Sequence, residues 1–448
     1  INSDAIDNSA GVNTSDVEVN LKIALATPVH DGRLDRRGRD ALLAAMTDDV
    51  AHLVLTNNYR QTLALSLAER RGLADIGFQQ RLMQSLEKRG LLDRAVEFLP
   101  DDATIAARVR GGEALARPEL AVLLAYGKLS LYDDLLASSM PDDPYLARDL
   151  ADYFPRPLRE GYPDAIESHR LRREIIATIM ANDVINRGGP AFAVRLADET
   201  GADVATIAAA FAAAFDSYRL GALYAEIDAL DNRIDGQVQL GLYEAVAEIV
   251  RSRTVWFVRN VDFREGLDAI VARFRGGIDA LSASLGTALP AAFEDMRRAI
   301  AGELVQKGVP ETLALRIAAL KALLLAPDAV VVAGRLQRPV VDVGSALFAV
   351  ALRLRIENLA ARAAAIPVSD YYDRLALDRA LERIAAAVRA IAAEIATVGS
   401  GEAAVDAWLA ANPAAGRIRQ AVDEIAGTDM TVARLTVAAG LIGDLAQS

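Results

Sequence analysis

A chain of 448 residues with 52% hydrophobic and 25% charged residues describes a soluble globular protein with room for two or three domains. A formal net charge of −12 disfavours nucleic acid or an anionic membrane as a partner for the whole surface. The 0 cysteines exclude disulfides, zinc–thiolate sites and a cysteine nucleophile, and fit a reducing compartment.

Aromatic residues make up only 5%, so much of the apolar content is alanine, which implies close helix packing through small side chains. The first residue is Ile, which reads as a cut piece of something longer or a processed product. No basic and apolar leader follows it, so signal-peptidase processing is not expected.

Residues 2–25 open the chain as a polar turn followed by a helix. Asn8-Ser9-Ala10-Gly11 is small and donor-rich, suited to a flexible turn near a ligand. Ser15 then reads as the N-cap, with Asp16 and Glu18 in the first turn and Val17, Leu21 and Leu25 recurring every four residues. A helix N-terminus behind such a turn can hold an anion.

From there the punctuation is helical. Starts are read at Thr47, Pro118-Glu119, Asp203, Pro310-Glu311 and Ser369-Asp370. Stops are read at Gly72, Gly90 and Gly308, each after a basic last turn. Between Ser138 and Asp164, Pro141, Pro144, Pro155, Pro157 and Pro163 interrupt the helical period and suggest a soft boundary.

Strand-like text is confined to 329–333 and 339–341, where helix or loop fits as well, so at most one small β element is expected there. The apolar run 318–334 is broken by Lys321 and Pro327, short of the roughly 18 residues a membrane span requires. Leu377, Leu381, Ile384, Val388, Ile391 and Ile395 form a heptad seam, for packing within a bundle or against a second subunit.

Signals for chemistry are sparse. His30, His52 and His169 lack the i,i+4 spacing of a zinc helix, so no metal site is expected. Gly399-Ser400-Gly401 follows a long helix where a dinucleotide fingerprint needs a strand, and reads as a helix stop and restart. None of Lys22, Lys88, Lys128, Lys307 and Lys321 sits in a glycine-rich setting. Asn57, Asn58 and Gln61 cluster amides on a helix whose other face is Leu53, Leu63 and Leu67, a pattern of buried structural hydrogen bonding. Arg117-Pro118-Glu119 reads as a cap with a salt bridge. His169, Arg172 and Arg173 share a helical face and read as an ion-pair face or an anion or effector site.

The string from Asp4 to Lys22 resembles the segment that closes the catalytic region of the large bacterial NAD-specific glutamate dehydrogenases. It is also similar, more loosely, to the Asn-Ala-Gly-Gly-Val-x-x-Ser-x-x-Glu stretch of the smaller hexameric enzymes. The resemblance implies that Asn8 lies beside the nicotinamide of NAD, that Ser15 binds a carboxylate of glutamate, and that Glu18 is the glutamate of the motif. The chain departs from the hexamers at Ser9 and Ala10, and at Asp16-Val17 in place of two aromatics. Residues 55–61, 116–126 and 168–187 also resemble strings of the large enzymes, and the likeness runs to about residue 270.

It implies an all-α, bundle-like C-terminal region preceded by the last turn and helix of an α/β dinucleotide-binding domain. The expected division is 1–25 as the edge of the catalytic domain, 26–150 as a helical subdomain and 151–448 as a helical C-terminal domain. It further implies a cytoplasmic homo-oligomer converting L-glutamate to 2-oxoglutarate and ammonia, with NAD held and the lysine chemistry supplied mainly upstream. No catalytic residue is expected in this piece, nor a nucleic-acid or membrane partner. The alternative is an autonomous helical scaffold or adaptor with no enzymatic role.

Overall fold

A computed structural model describes residues 2–366 and 371–447; the Ser369-Asp370 start lies outside the described residues. Among the described residues every regular element is a helix. Two compact units emerge, Ile1–Ala214 with Ala247–Asp268, and Phe215–Val246 with Ala269–Ser448.

Most of the punctuation reads through to structure. Gly72, Gly90 and Gly308 all adopt positive φ directly after helices, the conformation that glycine takes without steric cost. Asp203 caps helix Val204–Ser217, its carboxylate accepting from the Thr206 N–H at 2.7 Å. Helix Arg117–Leu136 opens with proline in its first turn, and Glu119 Oε2 accepts from the Ala116 N–H at 2.7 Å.

In the first unit, helices Ser9–His30, Thr47–Arg71, Arg117–Leu136 and Arg172–Gly188 carry the core. Thr47–Arg71, Arg117–Leu136 and Arg172–Gly188 pack against one another, and Ser9–His30 lies on Thr47–Arg71. Leu21, Leu25, Leu65, Leu123, Leu124, Ile176 and Val184 are buried. Backbone is approached closely at Gly127, where an added Cβ would lie 2.6 Å from the Pro190 carbonyl oxygen. The proline-rich stretch becomes a run of short helices within this unit, with Leu146, Leu150, Phe154, Leu158 and Ile166 buried.

In the second unit, Leu377, Ile384, Val388, Ile391 and Ile395 of the heptad seam are buried and Leu381 is half-buried, helix Tyr371–Val398 packing against helices Val432–Leu445, Val340–Arg353 and Ala326–Leu336. Glycines also set how closely helix Leu267–Ala283 meets Ala326–Leu336 and Val340–Arg353: a Cβ at Gly277 would meet Val330 Cγ2 at 2.3 Å, and one at Gly344 would meet Leu281 Cδ1 at 2.5 Å. Buried Asp328 pairs with Arg389 Nη1 at 2.9 Å, tying Ala326–Leu336 to the seam helix. Of the alternatives open near 330–341, the structure takes helix, and no β element forms among the described residues there. Pro327 and Pro339 instead open helices Ala326–Leu336 and Val340–Arg353, and burial of Val330, Val332 and Val343 outweighs the strand preference of valine. No single helix among the described residues is long and apolar enough to cross a membrane; the 318–334 run bends by 60° between two helices.

Gly127→Ala is expected to lose about 1–3 kcal/mol although alanine is the better helix former, because the backbone carbonyl of Pro190 blocks the methyl. Gly302→Ala, where the methyl meets nothing within 4 Å, is expected to gain up to about 1 kcal/mol. Thermal melts followed by circular dichroism check the opposite signs.

Candidate functional site

The three internal strings that resemble the large dehydrogenases converge in the first unit, on helices Thr47–Arg71, Arg117–Leu136 and Arg172–Gly188. The N-terminal segment sits directly on them. The Ser9 hydroxyl donates to Asn58 Oδ1 at 2.6 Å and accepts from Gln61 Nε2 at 3.4 Å. Gln61 Oε1 in turn accepts from Lys128 Nζ at 3.0 Å. A directed relay therefore runs from Lys128 through buried Gln61 to Ser9, the neighbour of Asn8. Arg117 ties down the same segment, with Nε donating to Asn2 Oδ1 at 2.7 Å and Nη2 to the Thr62 carbonyl at 3.2 Å. The amide cluster at Asn58 and Gln61 thus forms the hydrogen bonds expected of it, and Arg117-Pro118-Glu119 is a cap with a salt bridge, Glu119 binding Arg108 through both oxygens.

Lys128 is the residue that sequence reasoning passed over. Its side chain lies among packed helices, and burial pushes its ammonium down to about 7, opposed in part by the Asp183 carboxylate. A signal existed: Lys128 interrupts the apolar run Leu120 to Leu131 immediately after the crowded Gly127.

Asn8 and Ser15 fall differently from expectation. Asn8 is the exposed single-residue break between helices Asp4–Asp7 and Ser9–His30, so the four-residue turn shrinks to one residue. Ser15 is exposed in the interior of Ser9–His30 and caps nothing. Its N–H belongs to the helical ladder, which removes the anion-holding N-terminus placed there. The helix begins earlier because Ser9 is fixed by Asn58 and Gln61, while Val17, Leu21 and Leu25 still form the buried stripe.

The proposed anion face is likewise spent on structure. His169 is buried, its Nδ1 accepting from the Leu171 N–H at 3.1 Å, so Nε2 carries the proton and donates to the Asn20 carbonyl at 3.1 Å. Burial holds this ring's pKa below the usual imidazole value. Arg173 pairs with Asp142 and donates to the carbonyls of Leu136 at 2.8 Å and Ser138 at 3.0 Å, closing the end of helix Arg117–Leu136. Arg172 remains half-buried on the same helix, so the structure does not bring the three together as one open cation cluster.

The second unit has a groove of about 680 Å³ lined by Phe293, Met296, Lys321, Arg353, Arg355 and Arg419. Three of its four cations are engaged in ion pairs: Lys321 with Glu357, Arg355 with Asp423, and Arg353 with Glu402 and Asp406. The relay, not this groove, therefore joins the chain's recognisable strings.

Lys128→Met is expected to raise the melting temperature at pH 7. The unfolded lysine binds its proton below about 10.4, whereas the native one stays largely unprotonated down to about 7. Between those values the unfolded state holds more protons, so wild-type stability rises with pH and the variant's advantage shrinks towards pH 10. Melts across pH 7–10 check the convergence.

The sequence model described as Glutamate dehydrogenase, C-terminal, matches residues 112–444, and that described as Bacterial NAD-glutamate dehydrogenase, catalytic domain, matches residues 1–68. The chain is 38% identical to an NAD-specific glutamate dehydrogenase of Pseudomonas aeruginosa, over 100% of this chain and 28% of the relative. It is 37% identical to that of Halomonas elongata over 91% of this chain and 26% of the relative. With that of Mycobacterium tuberculosis the identity is 31%, over 98% of this chain and 27% of the relative. The chain thus spans 28% or less of the length of these curated relatives. With one match covering most of its helices and the other its N-terminal segment, the chain belongs to the glutamate dehydrogenase C-terminal family.

Proposed function

We propose that this chain is the C-terminal part of a cytoplasmic, oligomeric NAD-dependent glutamate dehydrogenase, whose helices hold the closing segment of the catalytic domain in position. The parent reaction is L-glutamate, NAD and water to 2-oxoglutarate, ammonia and NADH. The observation that carries this reading is the bonding of residues 1–68 to helix Arg117–Leu136 beyond them, Lys128 donating to Gln61 and Arg117 to Asn2 and to the Thr62 carbonyl. A catalytic edge bonded by side chains to the helical body is what a buttress requires.

The residues present do not make up a dinucleotide site. Exposed Asn8 can reach a cofactor held elsewhere, but the described residues contain no strand and glycine turn to bind the pyrophosphate. The role taken from resemblance for Ser15 rests on its exposed hydroxyl alone, since its helix offers no N-terminus there.

The purified chain, assayed with glutamate and NAD, is expected to form no NADH, and inhibitor-sensitive turnover would overturn its assignment as a supporting part. In the full-length enzyme, Ser15→Ala is expected to raise the KM for glutamate by roughly ten-fold or more, the loss of one hydrogen bond to a charged group at about 1.5–3 kcal/mol. Its melting temperature should not fall and should rise slightly, because an exposed mid-helix serine caps nothing and alanine is the better helix former. Asn8→Ala is expected to act on the KM for NAD instead. Unchanged constants in both variants would remove this chain from the active site.

A further inference from the structure

The break at Asn8 is held from both sides by one helix. Arg117 and Lys128 stand three turns apart on helix Arg117–Leu136, so they share a face and are separated by about 16 Å along its axis. From one end, Arg117 Nε donates to Asn2 Oδ1 at 2.7 Å, and Asn2 donates onward to the Asp7 carboxylate, from Nδ2 at 2.5 Å and from its N–H at 3.1 Å. From the other end, Lys128 Nζ donates to Gln61 Oε1 at 3.0 Å, and Gln61 Nε2 donates to the Ser9 hydroxyl at 3.4 Å. Asp7 and Ser9 are the two chain neighbours of Asn8. In each relay the cation belongs to the 112–444 match and the residues it acts through to the 1–68 match.

Between these anchors Asn8 has φ −112° and ψ 18°, and its exposed side chain lies over Gly11, where an added Cβ would stand 3.4 Å from Asn8 Oδ1. A single non-helical residue between two tethered helix ends has little freedom of its own, and displacing either end swings its side chain. Supporting hydrogen bonds of this kind are what hold a binding group to within a fraction of an ångström. We propose that Arg117 and Lys128 are paired positioning residues, which set where Asn8 stands and with it the affinity of the parent enzyme for NAD. The inference rests on the reading that Asn8 meets the cofactor.

The test uses Arg117→Met and Lys128→Met in the full-length enzyme, with Asn8→Ala as the reference. Each methionine variant is expected to raise the KM for NAD about three- to ten-fold with a smaller change in kcat, as for residues coupled to a site through intermediate contacts. Lys128→Met separates positioning from packing, because its melting temperature is expected to rise at pH 7 while its affinity for NAD falls. In an Asn8→Ala background neither methionine substitution is expected to raise the KM further. A raised KM in Asn8→Ala beside unchanged values in both methionine variants would overturn the positioning role and leave the reading of Asn8 standing. An unchanged KM in Asn8→Ala would overturn that reading, and the inference with it. Amide hydrogen exchange of the purified chain reports on the clamp without any cofactor. Peptides covering Asp7 to Gly11 are expected to exchange faster in both methionine variants, and unchanged exchange would also overturn the proposal. Arg117 bonds Ser66, Glu69 and the Thr62 carbonyl as well, so if Arg117→Met fails to fold, Asn2→Ala breaks the same relay and carries the same expectations.

Discussion

The first unit depends on how closely helix Arg117–Leu136 approaches the chain at Pro190. At Gly127 only a hydrogen separates the helix from a backbone carbonyl, and any side chain would force the two apart. That contact fixes the helix on which Lys128 follows, and so brings Nζ within 3.0 Å of Gln61. The relay to Ser9 is a consequence of packing. Were the helix displaced by the width of a methyl group, a hydrogen bond of that length would not survive.

Polar residues in such a body are committed to holding helices. His169 and Arg173 have the residue types and spacing of an anion site, yet each is engaged with backbone carbonyls, one at Asn20 and the other at Leu136 and Ser138. Buried donors left without acceptors cost about 1–3 kcal/mol each, and the ends of helices supply unused carbonyls. Arg94 follows the same rule in the loop after helix Ile76–Lys88, donating to the Pro100 carbonyl at 3.1 Å and to Asp102 at 2.8 Å. Among the described residues the Lys128 nitrogen has one acceptor, Gln61, which lies in the segment that matches a catalytic domain.

That position gives the helical region a direct physical link to the segment it carries. Ser9 neighbours Asn8, so a change at Gln61 or Lys128 acts on the segment through two hydrogen bonds and no rearrangement of the core. Coupling of this kind requires packed, discrete contacts of the sort that Gly127 enforces.

The all-helical class and the helix ends that carry a cap or a glycine stop were determined by sequence, because those signals act within a few residues. Gly72, Gly90, Gly308, Asp203 and Pro118 each stand where local chemistry puts them. The burial of the Leu377 to Ile395 seam was legible for the same reason, as periodicity reports a face, but which helices cover it was not. Tertiary structure decided where local signals competed. Asn8, Ser9, Asn13, Thr14, Ser15 and Asp16 are all acceptable caps, and contact of Ser9 with Asn58, 49 residues away, chose among them. The valines near 330 and 340 carry strand propensity, yet packing against helices from elsewhere in the second unit made them helical. Lys128 looked ordinary as a letter in a sequence, because desolvation is a property of neighbours, and Gln61 and Asp183 lie far away along the chain.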